Sequence, residues 1–102
     1  MTSEEEYLFL KQKYDKHRTY NISNGVYLRV ERTCMIFSNV LNKRHRLDGP
    51  AFLCCSGGLW FINGFDVTIE IYQWAEENDI DLDNLTDIDK ALIKLVWADY
   101  GK

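Results

Sequence analysis

Proline occurs once in this chain of 102 residues, at Pro50, and glycine six times. A single proline, with no low-complexity stretch, argues against wholesale disorder. No apolar run approaches the roughly 20 residues that span a bilayer, so no membrane partner is expected. The opening segment carries Glu4, Glu5 and Glu6, the wrong charge for a secretion signal. The expected location is the cytoplasm of whichever cell makes the protein. Cysteines number three, an odd count, and Cys54 and Cys55 are adjacent, so that on a strand they would point to opposite faces. A disulfide framework is therefore not expected. His17 and His45 are the only histidines, and no serine or cysteine has a recognisable nucleophile setting.

Large apolar side chains are plentiful by contrast. Three Trp, five Phe and six Tyr lie in a sequence that is 46% hydrophobic. That is enough to build one core without disulfides or metal, and a single domain over residues 1–102 is expected. The net charge of −4 is unevenly placed. Residues 1–50 hold nine Lys/Arg against six Asp/Glu, while residues 51–102 hold three against ten. Such asymmetry points either to a binding surface or to two differently solvated ends.

Alternation and turn signals outline an antiparallel sheet. Val26, Leu28 and Val30 alternate with Tyr27, Arg29 and Glu31, which predicts a half-buried strand after the turn cluster at 21–25. Further strands are expected over 34–41, 51–55 and 59–62, the last two flanking Ser56-Gly57-Gly58 as a hairpin. Tight turns are expected at Asn42-Lys43, Asp48-Gly49-Pro50 and Asn63-Gly64. Residues 3–14 carry two signals. Ser3 and Glu6 have capping-box spacing, but Tyr7-Leu8-Phe9-Leu10 is a compact apolar run that suits a strand. A worn internal repeat favours the strand: Lys16-His17-Arg18 recurs as Arg44-His45-Arg46, with Phe9 and Phe37 at the same offset. Leu41-Asn42-Lys43 likewise recurs as Ile62-Asn63-Gly64.

After Val67 the pattern becomes helical. Thr68 is placed to cap a helix reaching about Asn78, an acidic linker covers 79–84, and Thr86 with Asp89 opens a second helix. In that helix Ile88, Leu92, Leu95 and Val96 form one apolar stripe, and Ile93, Trp97 and Tyr100 another. Gly101 is the natural stop. The expected fold is α+β: an antiparallel β-meander of degenerate hairpin repeats over about 5–67, followed by two C-terminal helices within 68–102.

His45, Arg46, Asp48, Gly49, Pro50 and Ala51, followed by Trp60, Asn63 and Gly64, form one intact motif. It resembles the His-Arg-x-Asp-Gly-Pro-Ala and Trp-x-x-Asn-Gly repeat of small proteins from large tailed bacteriophages and some bacteria, itself loosely similar to MORN-type β-hairpin repeats. The stretch 85–90, with Ile93, Lys94, Trp97 and Ala98, also looks like the tail of such phage proteins. The intact copy covers about a fifth of the chain; His17-Arg18 continues as Thr19-Tyr20-Asn21 and departs from the pattern. The resemblance implies an accessory phage protein acting on a host component, in the host cytoplasm. It implies no particular activity.

His45, Arg46 and Asp48 could be read as an acid/base cluster. Their place in a repeat favours a structural role instead, with Asp48 accepting turn hydrogen bonds, Gly49 permitting an unusual backbone and Arg46 pairing with a carboxylate or with carbonyls of a neighbouring hairpin. Cys34, Cys54, Cys55 and His45 lack the close Cys-x-x-Cys or His-x-x-x-His pairs of zinc sites. Asp79-x-Asp81-x-Asp83-Asn84 opens like a calcium loop, but Asn84 and Lys90 stand where such a loop needs Gly and Glu. No metal, no cofactor and no catalytic residue is assigned, and the chain is read as not an enzyme. A deep pocket joining His17 or His45 to a carboxylate would argue otherwise.

The leading expectation is a protein-binding role towards a host or anti-phage defence protein. It would use Trp74, Glu76, Glu77, Asp79, Asp81 and Asp83 together with Ile93, Trp97 and Tyr100 of the last helix. Two apolar stripes exceed what one sheet contact requires, so self-association is also allowed. The alternative is a nucleic-acid-binding module using Lys11, Lys13, Lys16 and Arg18 beside Lys43, Arg44 and Arg46. An isoelectric point near 5.1 argues against it. A third reading has the acidic stretch 76–89 imitating a phosphate row.

Overall fold

A computed structural model of the chain describes residues 2–23 and 25–102. It begins with a helix where a strand was expected. Helix α1 spans Ser3–Lys13, and its N-cap is Thr2, one residue before the expected Ser3. The Thr2 hydroxyl accepts from the Glu5 amide at 3.2 Å, and the Glu5 carboxylate accepts from the Thr2 amide at 2.9 Å, a closed capping box. Glu4, Glu5 and Glu6 sit in the first turn and Lys11 and Lys13 in the last, each favourable to the helix dipole. A consecutive apolar run wraps around a helix instead of facing one way. Tyr7 is therefore buried while Leu8 and Phe9 are 57% and 53% exposed.

Five strands follow as an antiparallel sheet in chain order: β1 Arg18–Ser23, β2 Val26–Val30, β3 Cys34–Ser38, β4 Phe52–Cys54 and β5 Gly57–Leu59. β1 was not expected, and its residues 21–23 belong to the segment read as a turn, of which residue 24 lies outside the described residues. Leu28 pairs with Phe37, Val30 with Met35, and Met35 with Leu53. These side chains form one buried face, on which Tyr7 of α1 packs. β3 ends at Ser38, short of the expected Leu41, because the Asn39 side chain accepts from the Leu41 and Lys43 amides at 3.0 and 3.1 Å and closes a turn.

The expected strand at 59–62 is split. Leu59 ends β5, and Phe61 begins a separate hairpin, β6 Phe61–Ile62 with β7 Phe65–Asp66. Asn63 and Gly64 close it with φ of 51° and 88°, the two positive angles of a type I′ turn. The hairpin between β4 and β5 turns at Cys55 and Ser56, with Gly57 and Gly58 inside β5.

Helix α2 covers Thr68–Glu77 and α3 covers Asp87–Trp97. They enclose a second core of Trp60, Ile62, Val67, Ile71, Ile93 and Trp97 with the β6–β7 hairpin. Thr68 is the first helical residue and not the cap. Its hydroxyl accepts from the Trp60 amide at 2.9 Å, and Asp66 accepts from the Thr68 amide at 3.0 Å. Thr86 does cap α3, in a box closed with Asp89. The fold is thus α+β, a meandering antiparallel sheet followed by two C-terminal helices, with α1 added in front.

The repeat is half kept. Asn42 and Asn63 share a left-handed turn conformation, with φ of 59° and 51°. Phe9 and Phe37 do not correspond, one being an exposed helix residue and the other a buried strand residue.

Candidate functional site

The intact motif is a joint between the two cores. Arg46 is only 8% exposed. Its Nη1 and Nη2 donate to the two carboxylate oxygens of Glu6 at 2.7 and 2.6 Å, and its Nε donates to Asp48 Oδ1 at 2.8 Å. Nη1 also reaches the Pro50 carbonyl at 3.1 Å, and the guanidinium lies 4.1 Å from the centre of the Phe37 ring. Burial disfavours its charge, but Glu6 and Asp48 more than offset this and hold it protonated. Gly49 is present for space, not for an unusual backbone angle. Its φ lies outside the left-handed region, and a Cβ there would come within 2.6 Å of the Arg46 guanidinium carbon.

His45 and Asn63 make the second half of the joint. His45 Nδ1 accepts from the Asn63 amide at 2.9 Å, which fixes the neutral ring with its proton on Nε2. Burial, and after it the charge of Lys102, lowers the His45 imidazole below its ordinary value. The Asn63 side chain donates to the Ala98 and Tyr100 carbonyls at 3.2 and 2.7 Å, tying down the turn after α3. The backbone of residues 44–46 bridges the two sheets: His45 N–H bonds to the Phe37 carbonyl at 3.0 Å and Arg46 N–H to the Phe61 carbonyl at 3.2 Å.

The expected protein-binding residues divide. Ile93 is fully buried and Trp97 is 9% exposed. Both belong to the second core, which corrects their assignment to a surface. Trp74 packs edge-on to Trp97 at 6.0 Å, and Tyr100 lies 5.5 Å from Trp97 and 6.0 Å from Phe65. The other stripe of α3 is the open one, with Ile88 81%, Leu95 82% and Val96 50% exposed. Both stripes have helical spacing, and only the position of the sheet decides which is covered.

Glu76, Glu77, Asp79, Asp81 and Asp83 are exposed. Glu76, Asp81 and Asp83 rim a shallow groove of about 570 Å³ between α2 and the following linker, with Ile69, Tyr72 and Leu82 in its wall. Asp81 is partly committed to the linker itself, accepting from the Asp83 amide at 3.0 Å and the Asn84 side chain at 3.1 Å.

The basic clusters do not merge. Arg46 is consumed by the joint and is unavailable to phosphate. Lys11 and Lys13 lie on α1, over Tyr7 and Tyr14 at 5.5 Å each. Arg44 lies across the sheet from them, 5.4 and 5.2 Å from the Phe52 and Phe61 rings, and shares a small outer pocket with Arg29. Lys16 and Arg18 are exposed.

Lys43 meets cations that sequence spacing does not connect with it. It lines a cleft of about 630 Å³ together with Lys94 of α3, Lys102 of the terminal turn and His45; no Asp or Glu is among the described lining residues, but Lys102 itself pairs with Asp99 beside the cleft at 3.6 Å. These residues come from three separate segments, and no local motif marks their convergence.

His45 and Asp48 do line one further pocket, of about 170 Å³. Their hydrogen bonds run to different partners, Asn63 and Arg46. Among the described residues no group of three or more His, Cys, Asp or Glu side chains could hold a metal ion. Nor is any helix among them long and apolar enough to cross a membrane. Comparisons with protein families, with curated proteins and with solved structures found no match.

Proposed function

We propose that the chain is a non-enzymatic accessory protein, of the phage type its motif resembles, that binds and inhibits a host or anti-phage defence protein. The observation that supports this reading is the groove beside α2. It combines exposed apolar side chains, Ile69 at 72% and Tyr72 at 46%, with a rim of Glu76, Asp81 and Asp83. Its charge and shape suit a basic amphipathic segment, whose apolar side chains would enter the groove while Lys or Arg pair with the rim. The motif itself is absorbed in joining the two cores, which leaves recognition to this surface.

The test is affinity capture from host lysate with the tagged protein and with an Ile69→Lys/Glu76→Lys variant. One partner should be enriched by the wild type and lost with the variant, whose circular dichroism stays native. No enriched partner, with a clean monomer by light scattering, overturns the reading.

A second reading is favoured by the cleft of Lys43, Lys94 and His45, edged by Lys102 in its pair with Asp99. Such a cleft suits a phosphate-bearing polymer, which on this reading would run along Lys43 and Lys94 and not along residues 11–18. Binding of a labelled oligonucleotide should then weaken steeply with salt and fall with Lys94→Glu. Absence of binding at low salt refutes it.

A further inference from the structure

Cys34 and Cys54 are register partners on β3 and β4, on the sheet face opposite α1. The ladder determines which kind of pair they form. The Phe37 amide donates to the Ala51 carbonyl at 2.7 Å, in the same register. Pairs 37/51 and 35/53 are therefore the hydrogen-bonded ones, and 34/54 falls on the alternate, non-hydrogen-bonded type. Consistently, the Cys34 carbonyl turns the other way, accepting from the Glu31 amide at 2.9 Å. Non-hydrogen-bonded pairs bring their Cα atoms to about 4.5 Å and their side chains closest together, inside the roughly 4.4–6.8 Å that a disulfide spans. Both thiols are free and partly accessible, whereas Cys55 lies in the turn beyond β4, out of register with Cys34.

We propose that Cys34 and Cys54 are a dithiol modification site, closed to an intramolecular disulfide by a low-molecular-weight disulfide such as oxidised glutathione. Cys54 is the attacking group. Its Sγ lies 3.2 Å from the Ser56 hydroxyl, and that bond with the Ser56 amide lowers its pKa, while burial and Glu31 raise that of Cys34. The Cys54 thiolate forms a bond to one glutathione sulfur, the glutathione S–S bond breaks, and one glutathione thiolate leaves and takes a proton. Cys34 then releases its proton to water, attacks the Cys54 sulfur and expels the second glutathione thiolate. Two protein thiols are oxidised and one glutathione disulfide is reduced to two thiols. The bridge would clamp both ends of residues 34–54, the segment that holds the Arg46 joint.

The experiment is incubation of the reduced, full-length protein with oxidised glutathione, followed by alkylation and non-reducing peptide mapping. The expected product is a monomer whose linked 34–54 peptide pair is two hydrogens lighter than the free peptides, with Cys55 outside the bridge and with full reversal by dithiothreitol. Cys55→Ser should leave this product unchanged. Cys34→Ser should stall as a glutathione adduct on Cys54; if that variant does not fold, the wild-type map alone decides. Persistent glutathione adducts on Cys34 or Cys54 of the wild type, a 54–55 link, or disulfide dimers as the main product would overturn the proposal.

Discussion

Replacing Glu6 by Ala tests the central claim about the motif, that Arg46 fastens α1 to the sheet. The guanidinium is 8% exposed and Glu6 23%, so water does not readily replace the lost carboxylate. Removing one partner of a buried ion pair costs about 3–5 kcal/mol. Asp48 and the Pro50 carbonyl still hold part of the guanidinium, which places the loss at the lower end, about 3 kcal/mol. Domains of this size are stable by only about 5–15 kcal/mol. At about 4 °C per kcal/mol, the melting temperature should fall by roughly 12 °C. Thermal unfolding followed by circular dichroism measures it, with Glu6→Gln as a milder companion that keeps one acceptor. Because the pair is buried, the wild-type value should change little between low and moderate salt. A drop below about 3 °C, or one that vanishes with added salt, would show that α1 docks without this ion pair.

Asn63→Ala should remove two hydrogen bonds to the terminal turn and place a Cβ-bearing residue other than Asn at positive φ. The combined loss is about 3 kcal/mol, and hydrogen exchange should speed up selectively around residues 98–102. Lowering pH should weaken the fold in two stages. His45 is held below its ordinary value of about 6.5, so its contribution is whole above that pH and fades as pH falls towards the folded value. Its protonated ring would also turn a donor towards the Asn63 amide. Urea midpoints should be lower at about pH 5.5 than at about pH 7.5, and His45→Gln should flatten that difference. Burial raises the Asp48 carboxyl, but Arg46 outweighs it and brings the net value below the usual aspartate range. Its contribution is therefore complete above about pH 3.9 and lost only in stronger acid.

Local signals were legible wherever one short segment decided the outcome. Alternation in β2, the Asn63-Gly64 turn and the Thr86–Asp89 cap each involve residues a few positions apart, and each formed as its pattern predicts. The apolar run in 3–14 suits a strand, whereas the deciding signal is a capping box of Thr2 and Glu5, one residue earlier than Ser3 and Glu6. The break at Trp60 was invisible for a related reason. A run from 59 to 62 reads as one strand, and only the presence of two cores makes Trp60 turn from one sheet to the other.

The sequence by itself determined the α+β class, the antiparallel meander and the two C-terminal helices, because periodicity, turn residues and caps act over distances of one or two turns. Tertiary structure alone decided which stripe of α3 is buried, which carboxylates Arg46 holds, where Lys43, Lys94 and Lys102 meet, and that Cys34 faces Cys54. Those outcomes depend on which surfaces exclude water together, and segments far apart in the chain supply them.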